Sequence, residues 1–224
     1  MMKRISAKRF WGALAGLGLL GGLLTGAWAA DAPAKKRLVL VPFQIEKAEH
    51  SDIIRCRACG NILGAGRVEG DPNPNLTLML WELLKDQLKG YELVSPGQAE
   101  GVYQVQLAKK IDQDPLVLMK AIGQELKADG VVWGGIFRYV NRKGTGYGVQ
   151  EPASVSLDLH LLRVNDGAIV WKAQWNKSQK SLSEDLFQLG EVAKQGLRWM
   201  TAEELAKSGL AEMIKSFPGP HAWE

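Results

Sequence analysis

Apolar and polar residues alternate three times in succession between Asp129 and Asn176. Val131, Trp133, Gly135, Phe137 and Tyr139 fall on one face of a first strand, and Val132, Gly134, Ile136 and Arg138 on the other. In the next stretch Val155, Leu157, Leu159 and Leu161 alternate with Ser154, Ser156, Asp158 and His160, the pattern of a half-buried antiparallel strand with a polar face. Asn165-Asp166-Gly167 is a tight hairpin signal, and Ile169, Trp171, Ala173 and Trp175 continue the apolar face beyond it. The stretch predicts a three-stranded antiparallel meander.

Upstream, Leu38-Val39-Leu40-Val41-Pro42-Phe43 is apolar without a break, as in a strand covered on both faces, and Pro42 marks where pairing ends. Leu76, Met79, Leu80, Leu83, Leu84 and Leu88 recur at helical spacing after an N-cap at Asn75, and Gly90 stops the helix. Tyr91 to Val94 reads as a short strand. Ser95-Pro96-Gly97-Gln98 opens a second helix through a capping box, and Asp114-Pro115 opens a third. Downstream, Ser181 with Glu184 and Thr201 with Glu204 open two closing helices.

These elements predict a mixed-sheet α/β (α+β) domain over residues 37–217. A parallel N-terminal strand pair joins an antiparallel C-terminal meander, with helices packed on the sheet. Residues 50–74 form a Gly- and Pro-rich insertion without apolar periodicity, and residues 30–36 and 218–224 read as a flexible leader and a fraying tail.

The first 29 residues stand apart from the fold. Lys3, Arg4, Lys8 and Arg9 precede an uncharged Leu/Gly-rich run and an Ala27-Trp28-Ala29 cleavage pattern, so a signal peptide is expected to be cut between Ala29 and Ala30. No cysteine follows the run, so lipoprotein processing is not expected. The whole chain holds 28 Lys and Arg against 24 Asp and Glu, and the four basic residues of the signal account for the excess. Net charge therefore gives no case for nucleic acid. No later apolar run is long enough to span a membrane as a helix.

The run Leu126-Lys127-Ala128-Asp129-Gly130-Val131-Val132-Trp133-Gly134-Gly135 joins a helix end to Ala-Asp, an apolar strand and Gly; Ser-Val-Ser-Leu-Asp-Leu, Asn-Asp-Gly and Ile-Val-Trp-Lys follow. In this the stretch from Arg37 to Asn176 resembles the family of the TolB amino-terminal domain, CsgG and LpoB. It also looks like a group of uncharacterised secreted Gram-negative proteins that share the CxxCG segment. The resemblance implies a periplasmic module that binds envelope proteins without catalysis. The chain departs from it in lacking the TolB propeller and a lipidated cysteine, and in its 50–74 segment.

Cys56 and Cys59 are the only cysteines. In an exported chain such a pair reads first as a disulfide. It also supplies half of a tetrahedral zinc site, with His50 six positions upstream as a weaker ligand and Asp52, Glu69 and Asp71 nearby in sequence. Thiol redox catalysis is a third reading, but it wants a helix N-terminus that Gly60 and the following segment do not offer. Gly144, Gly146 and Gly148 space as G-x-G-x-G between two strands rather than ahead of a helix, so they predict a hairpin loop. With Tyr147 as an aromatic anchor, that loop is a candidate partner contact. Asp158 and His160 share the polar strand face, and no nucleophile can be tied to them, so they read as solvent-facing or helix-covered.

The function expected on these grounds is a periplasmic, non-enzymatic binding or assembly protein of the Gram-negative envelope. It would dock protein partners by strand addition or through its Gly-rich loops, homo-oligomers included, without a cofactor. The alternative is a zinc-binding or thiol-redox protein centred on Cys56 and Cys59.

Overall fold

A computed structural model describes residues 35–48, 51–109, 114–145, 148–179 and 199–223. The signal segment with Ala29 and Ala30, the helix expected from Ser181, and His50, Gly146 and Tyr147 lie outside the described residues.

The main sheet contains β1 (Lys36–Leu40), β2 (Gln44–Ile45), β5 (Tyr91–Leu93), β6 (Gly130–Val140), β9 (Ser154–Arg163) and β10 (Ile169–Ser178). Its order is β10-β9-β6-β1-β5, with β2 also on β6. β1 runs parallel to both β5 and β6, and β6, β9 and β10 form the antiparallel meander. The fold is thus α+β with a mixed sheet, as the sequence pattern predicts. The unbroken apolar run explains the central place of β1, because Leu38 and Leu40 enter one core and Val39 and Val41 the other. Pro42, which has no N–H, interrupts the pairing without ending it. The chain detours, Phe43 N–H donates to Thr77 Oγ1 at 3.1 Å, and β2 resumes on β6.

Helices α1 (Asn73–Gln87) and α4 (Ala202–Ile214) cover one face, through Leu76, Leu80 and Leu84 from α1 and Leu205, Leu210 and Met213 from α4. Burying each such side chain contributes about 1.5–3 kcal/mol. Helices α2 (Pro96–Ala108) and α3 (Pro115–Glu125) cover part of the other face, through Ala99, Leu118, Met119 and Ile122. The Thr201–Glu204 capping box forms in full, and the Asp114 side chain accepts from Leu116 N–H. Two expected starts differ. Pro72, not Asn75, is the N-cap of α1, and Ser95 donates to the Gln98 side chain instead of capping the α2 backbone.

Two bulges redirect side chains that simple alternation assigns otherwise. The register shifts on β6 between Ile136 and Arg138, which moves Tyr139 to the α1/α4 face, away from Val131 and Trp133. A shift between Ile169 and Trp171 on β10 likewise sends Ile169 to the α2/α3 side while Trp171 and Trp175 face α4. Residues 218–223 do not fray as expected. Trp223 is only 4 % exposed, stacks on Tyr91 and donates from Nε1 to Tyr91 Oη at 2.8 Å.

The 50–74 insertion holds a small hairpin of β3 (Ile53–Arg55) and β4 (Ile62–Gly64). Strands of three residues are too short to show an alternation in sequence, which is why this hairpin escapes a periodicity reading. It lies on the α2/α3 face beyond the helices, where Ile54 and Leu63 turn inward toward Phe137 of β6. Gly64 and Gly66 permit the close approach, since a Cβ on either would come within 2.9 Å of the Arg138 side chain. A second small hairpin, β7 (Lys143–Gly144) with β8 (Val149–Glu151), joins β6 to β9.

Candidate metal centre

The turn between β3 and β4 runs Cys56-Arg57-Ala58-Cys59-Gly60-Asn61. Cys56 N–H donates to Asn61 O at 2.8 Å, and Gly60 N–H donates to Cys56 O at 2.9 Å. Gly60 closes the turn at φ +74°, a conformation that favours glycine. The backbone N–H groups of Cys59 and Ala58 also bond the Cys56 sulfur. The local sequence thus fixes both cysteines at one end of the hairpin, where no bond joins their sulfurs. Asn61 ties that end to the sheet edge. Its Oδ1 accepts from Lys172 Nζ at 3.0 Å, and its Nδ2 donates to Gln174 at 3.3 Å.

Beneath the turn lies the polar face of β9. Ser156, Asp158 and His160 are buried, at 0 %, 1 % and 1 % exposure, because the β3–β4 hairpin covers them. Among the described residues this face meets the β3–β4 turn, with Pro115 at the start of α3 beside it, rather than solvent, which corrects the expectation of a solvent-facing pair. Asp158 Oδ1 accepts from Gly135 N–H at 2.9 Å, and Gly135 leaves room for it, since a Cβ there would stand 2.9 Å from that oxygen. The His160 ring stacks on Trp133 with centroids 4.7 Å apart, which fixes the ring plane.

Cys56 Sγ lies 3.6 Å from His160 Nε2, which lies 3.4 Å from Asp158 Oδ2. Cys59 completes the group, and one donor atom from each of the four residues falls within 4.8 Å of all the others. Metal–sulfur bonds of about 2.3 Å and metal–nitrogen or –oxygen bonds of about 2.0–2.1 Å place tetrahedral ligand atoms roughly 3.3–3.8 Å apart. A partly open cleft lined by Cys56, Asp158, His160 and Gly135 holds ≈ 10 Å³, room for one ion- or water-sized occupant.

Without a cation these groups are electrostatically mismatched. Burial pushes the Asp158 carboxyl up to about 7, with the neighbouring Cys56 thiol and the Gly135 N–H pulling the other way. Burial, and then the charge of Lys172, lowers His160 to about 4, so its imidazole is neutral near pH 7, the form that ligates metals. Burial and then the Asp158 charge raise the Cys56 thiol. Two buried atoms, His160 Nδ1 and Asp158 Oδ2, have no hydrogen-bond partner among the described residues. A divalent cation reverses this balance, favouring thiolate and carboxylate alike. Two thiolates, a carboxylate and a divalent ion would leave one net negative charge, which the nearby Lys172 ammonium suits.

The structure unites Cys56 and Cys59 with the Asp158–His160 pair, which the sequence offered only as separate features. Asp52 and Asp71 are exposed, and Glu69 pairs with Arg67. None of the three joins the cluster. Gly144 and Gly148 lie on the β7–β8 hairpin, where Thr145 N–H donates to Gly148 O at 2.8 Å, and contribute nothing to the centre. Asp158 and His160 carried one sequence signal: a polar, titratable pair on a strand flanked by unbroken apolar partners.

No protein-family model and no curated protein matches the chain. Among solved structures it is similar to the PelC dodecamer protein of Paraburkholderia phytofirmans, at 12% identity and TM-score 0.42 over 82% of this chain and 89% of that one. It is similar to the LpoB C-terminal domain of Salmonella enterica at 17% identity and TM-score 0.40, covering 67% and 88%. Lipoprotein GNA1162 of Neisseria meningitidis gives 15% identity and TM-score 0.41, covering 71% and 96%. Likenesses this distant do not decide what the chain does, so the functional argument rests on its own residues.

Proposed function

We propose that the protein is an exported, non-catalytic binding protein of the bacterial envelope, built around a structural metal centre. Cys56, Cys59, Asp158 and His160 hold one divalent ion of the zinc class. One observation carries this reading: two segments about 100 positions apart bring four donor atoms within 4.8 Å of one another beneath the β3–β4 turn. Two sulfurs with one imidazole select a borderline metal such as zinc or cobalt over magnesium or calcium, which prefer oxygen. A centre with all four positions filled by protein leaves none open for substrate, so its role is to fix the hairpin. Fixed in this way, the hairpin turns Ile53 and Ile62 outward, each 58 % exposed, as a contact surface for a protein partner.

The test is reconstitution of the reduced protein. Native mass spectrometry should find one zinc per chain, and cobalt should give thiolate-to-metal charge-transfer absorption with tetrahedral visible bands. A reduced, folded protein that bound neither ion would sink the proposal.

A further inference from the structure

The two sulfurs of this centre differ in access. Cys56 is 6 % exposed beneath the turn, whereas Cys59 is half-buried and reaches the surface. They sit three positions apart in a single turn, and their sulfurs lie within 4.8 Å of each other. The other two donors belong to β9 and cannot follow the turn if it leaves. The apolar contact beneath the hairpin is small, with Cys56, Leu63 and Phe137 its only fully buried members among the described residues. At the turn itself, bonds from Cys56 and Cys59 to a metal shared with β9 would add to the two Asn61 hydrogen bonds to Lys172 and Gln174 as its fastening to the sheet.

We propose that the centre is a reversible oxidant switch, in which a peroxide converts Cys56 and Cys59 to a disulfide, expels the metal and releases the β3–β4 hairpin from β9. The proposal rests on the metal reading above. Its chemistry balances with hydrogen peroxide as the co-reactant. The accessible Cys59 thiolate attacks one peroxide oxygen and breaks the O–O bond. This gives the Cys59 sulfenic acid and hydroxide, which takes a proton to become water. The Cys56 thiolate then attacks the Cys59 sulfur and displaces the second hydroxide, which also leaves as water after protonation. Each sulfur gives up one electron, the peroxide gains two, and two protons are consumed. The divalent ion departs with only His160 and Asp158 left to hold it, and two such ligands retain it weakly.

Release has a structural consequence. Asp158 and His160 lose their cover, and Phe137 and Trp133 gain access to solvent beside them. Arg55 and Arg57 border and occupy the turn, so hairpin release also opens two tryptic sites.

The experiment uses the zinc-loaded full protein. Hydrogen peroxide is added while released zinc, free thiols, intact mass and tryptic cleavage after Arg55 and Arg57 are followed together. The expected result is one zinc and two thiols lost per chain, a protein mass two hydrogens lower, and faster cleavage at those arginines. Dithiothreitol with zinc should reverse all four changes. Cys59→Ser should abolish disulfide formation, while Cys56→Ser should stop at a sulfenic acid that dimedone traps on Cys59. Zinc retained with both thiols intact under excess peroxide would overturn the switch but leave the metal centre standing. Conversion straight to sulfinic or sulfonic acid would also overturn it. A chain that never loads zinc would refute the metal reading itself.

Discussion

The sulfur of Cys56 lies 3.6 Å from Nε2 of His160 although 104 positions separate the two residues. Such a contact between a buried thiol and a buried imidazole has little value by itself, because neither is charged there. It gains strength when a cation lies between them. His160→Ala is therefore expected to weaken zinc affinity by roughly 100-fold or more, on the scale of losses from removing supporting groups around metals. Competition against a chromophoric chelator measures this, and unchanged affinity would exclude His160 from the centre.

Asp158 tests the fourth position separately. Asn at 158 keeps an oxygen for the Gly135 N–H but loses the negative charge. Affinity for zinc is expected to fall about 10- to 100-fold, while the secondary structure holds. In the zinc-free protein the same change relieves a buried carboxyl that prefers its proton up to about pH 7. Asp158→Asn should thus raise the midpoint of urea unfolding in the presence of chelator and lower it in the presence of zinc. A shift of the same sign in both conditions would contradict the assignment.

Metal removal should be legible as a stability change. An ion that binds only the folded chain contributes about 4.1 kcal/mol when it is present at 1,000 times its dissociation constant. The melting temperature should rise with zinc concentration across that range and fall with chelator, as calorimetry would show. A melting temperature independent of zinc would place the ion, if bound, outside the folding equilibrium.

Trp133 offers an optical probe, since it stacks on His160 at 4.7 Å. Cobalt binding should quench a component of tryptophan fluorescence that Trp133→Phe removes. Quenching left intact in that variant would mean that the ion sits elsewhere.

Trp223 makes a prediction independent of the metal. Its ring stacks with Tyr91, lies under the Lys36 ammonium at 4.1 Å, and its N–H completes the hydrogen bonding of the Tyr91 hydroxyl. Trp223→Ala should cost about 3–5 kcal/mol of unfolding free energy, as for other large buried aromatics. A loss below about 1 kcal/mol would show that the 218–223 segment is only loosely held.

The sheet was legible in the sequence because its signals are periodic or local. The unbroken run at Leu38 to Val41 announced a strand covered on both faces, and Asp114 and Thr201 announced their helices through capping chemistry. The centre was hidden for two reasons. Strands of three residues carry no alternation to read, so the hairpin looked like a loop. The polar face of β9 followed the alternation rule, and the rule assigned Asp158 and His160 to solvent or a helix. Only the tertiary placement of the hairpin shows that this face is covered by the very segment that carries the cysteines. Tyr139 and Ile169 were misplaced for a simpler reason, since a single extra residue at a bulge inverts every face beyond it.

The positions of the four donors along the chain also set the topology of the cross-link. A bond between Cys56 and Cys59 closes a ring of a few residues and leaves the rest of the unfolded polypeptide almost as free as before. A bridge from Cys56 to His160 instead closes a circuit that encloses α1, β5, α2, α3 and β6. In a chain-entropy account a closure of about 100 residues is worth about 4.7 kcal/mol, against about 3 for 15 residues and less for smaller rings. The same pair of sulfurs can therefore lash the two halves of the domain together or merely fasten a turn to itself.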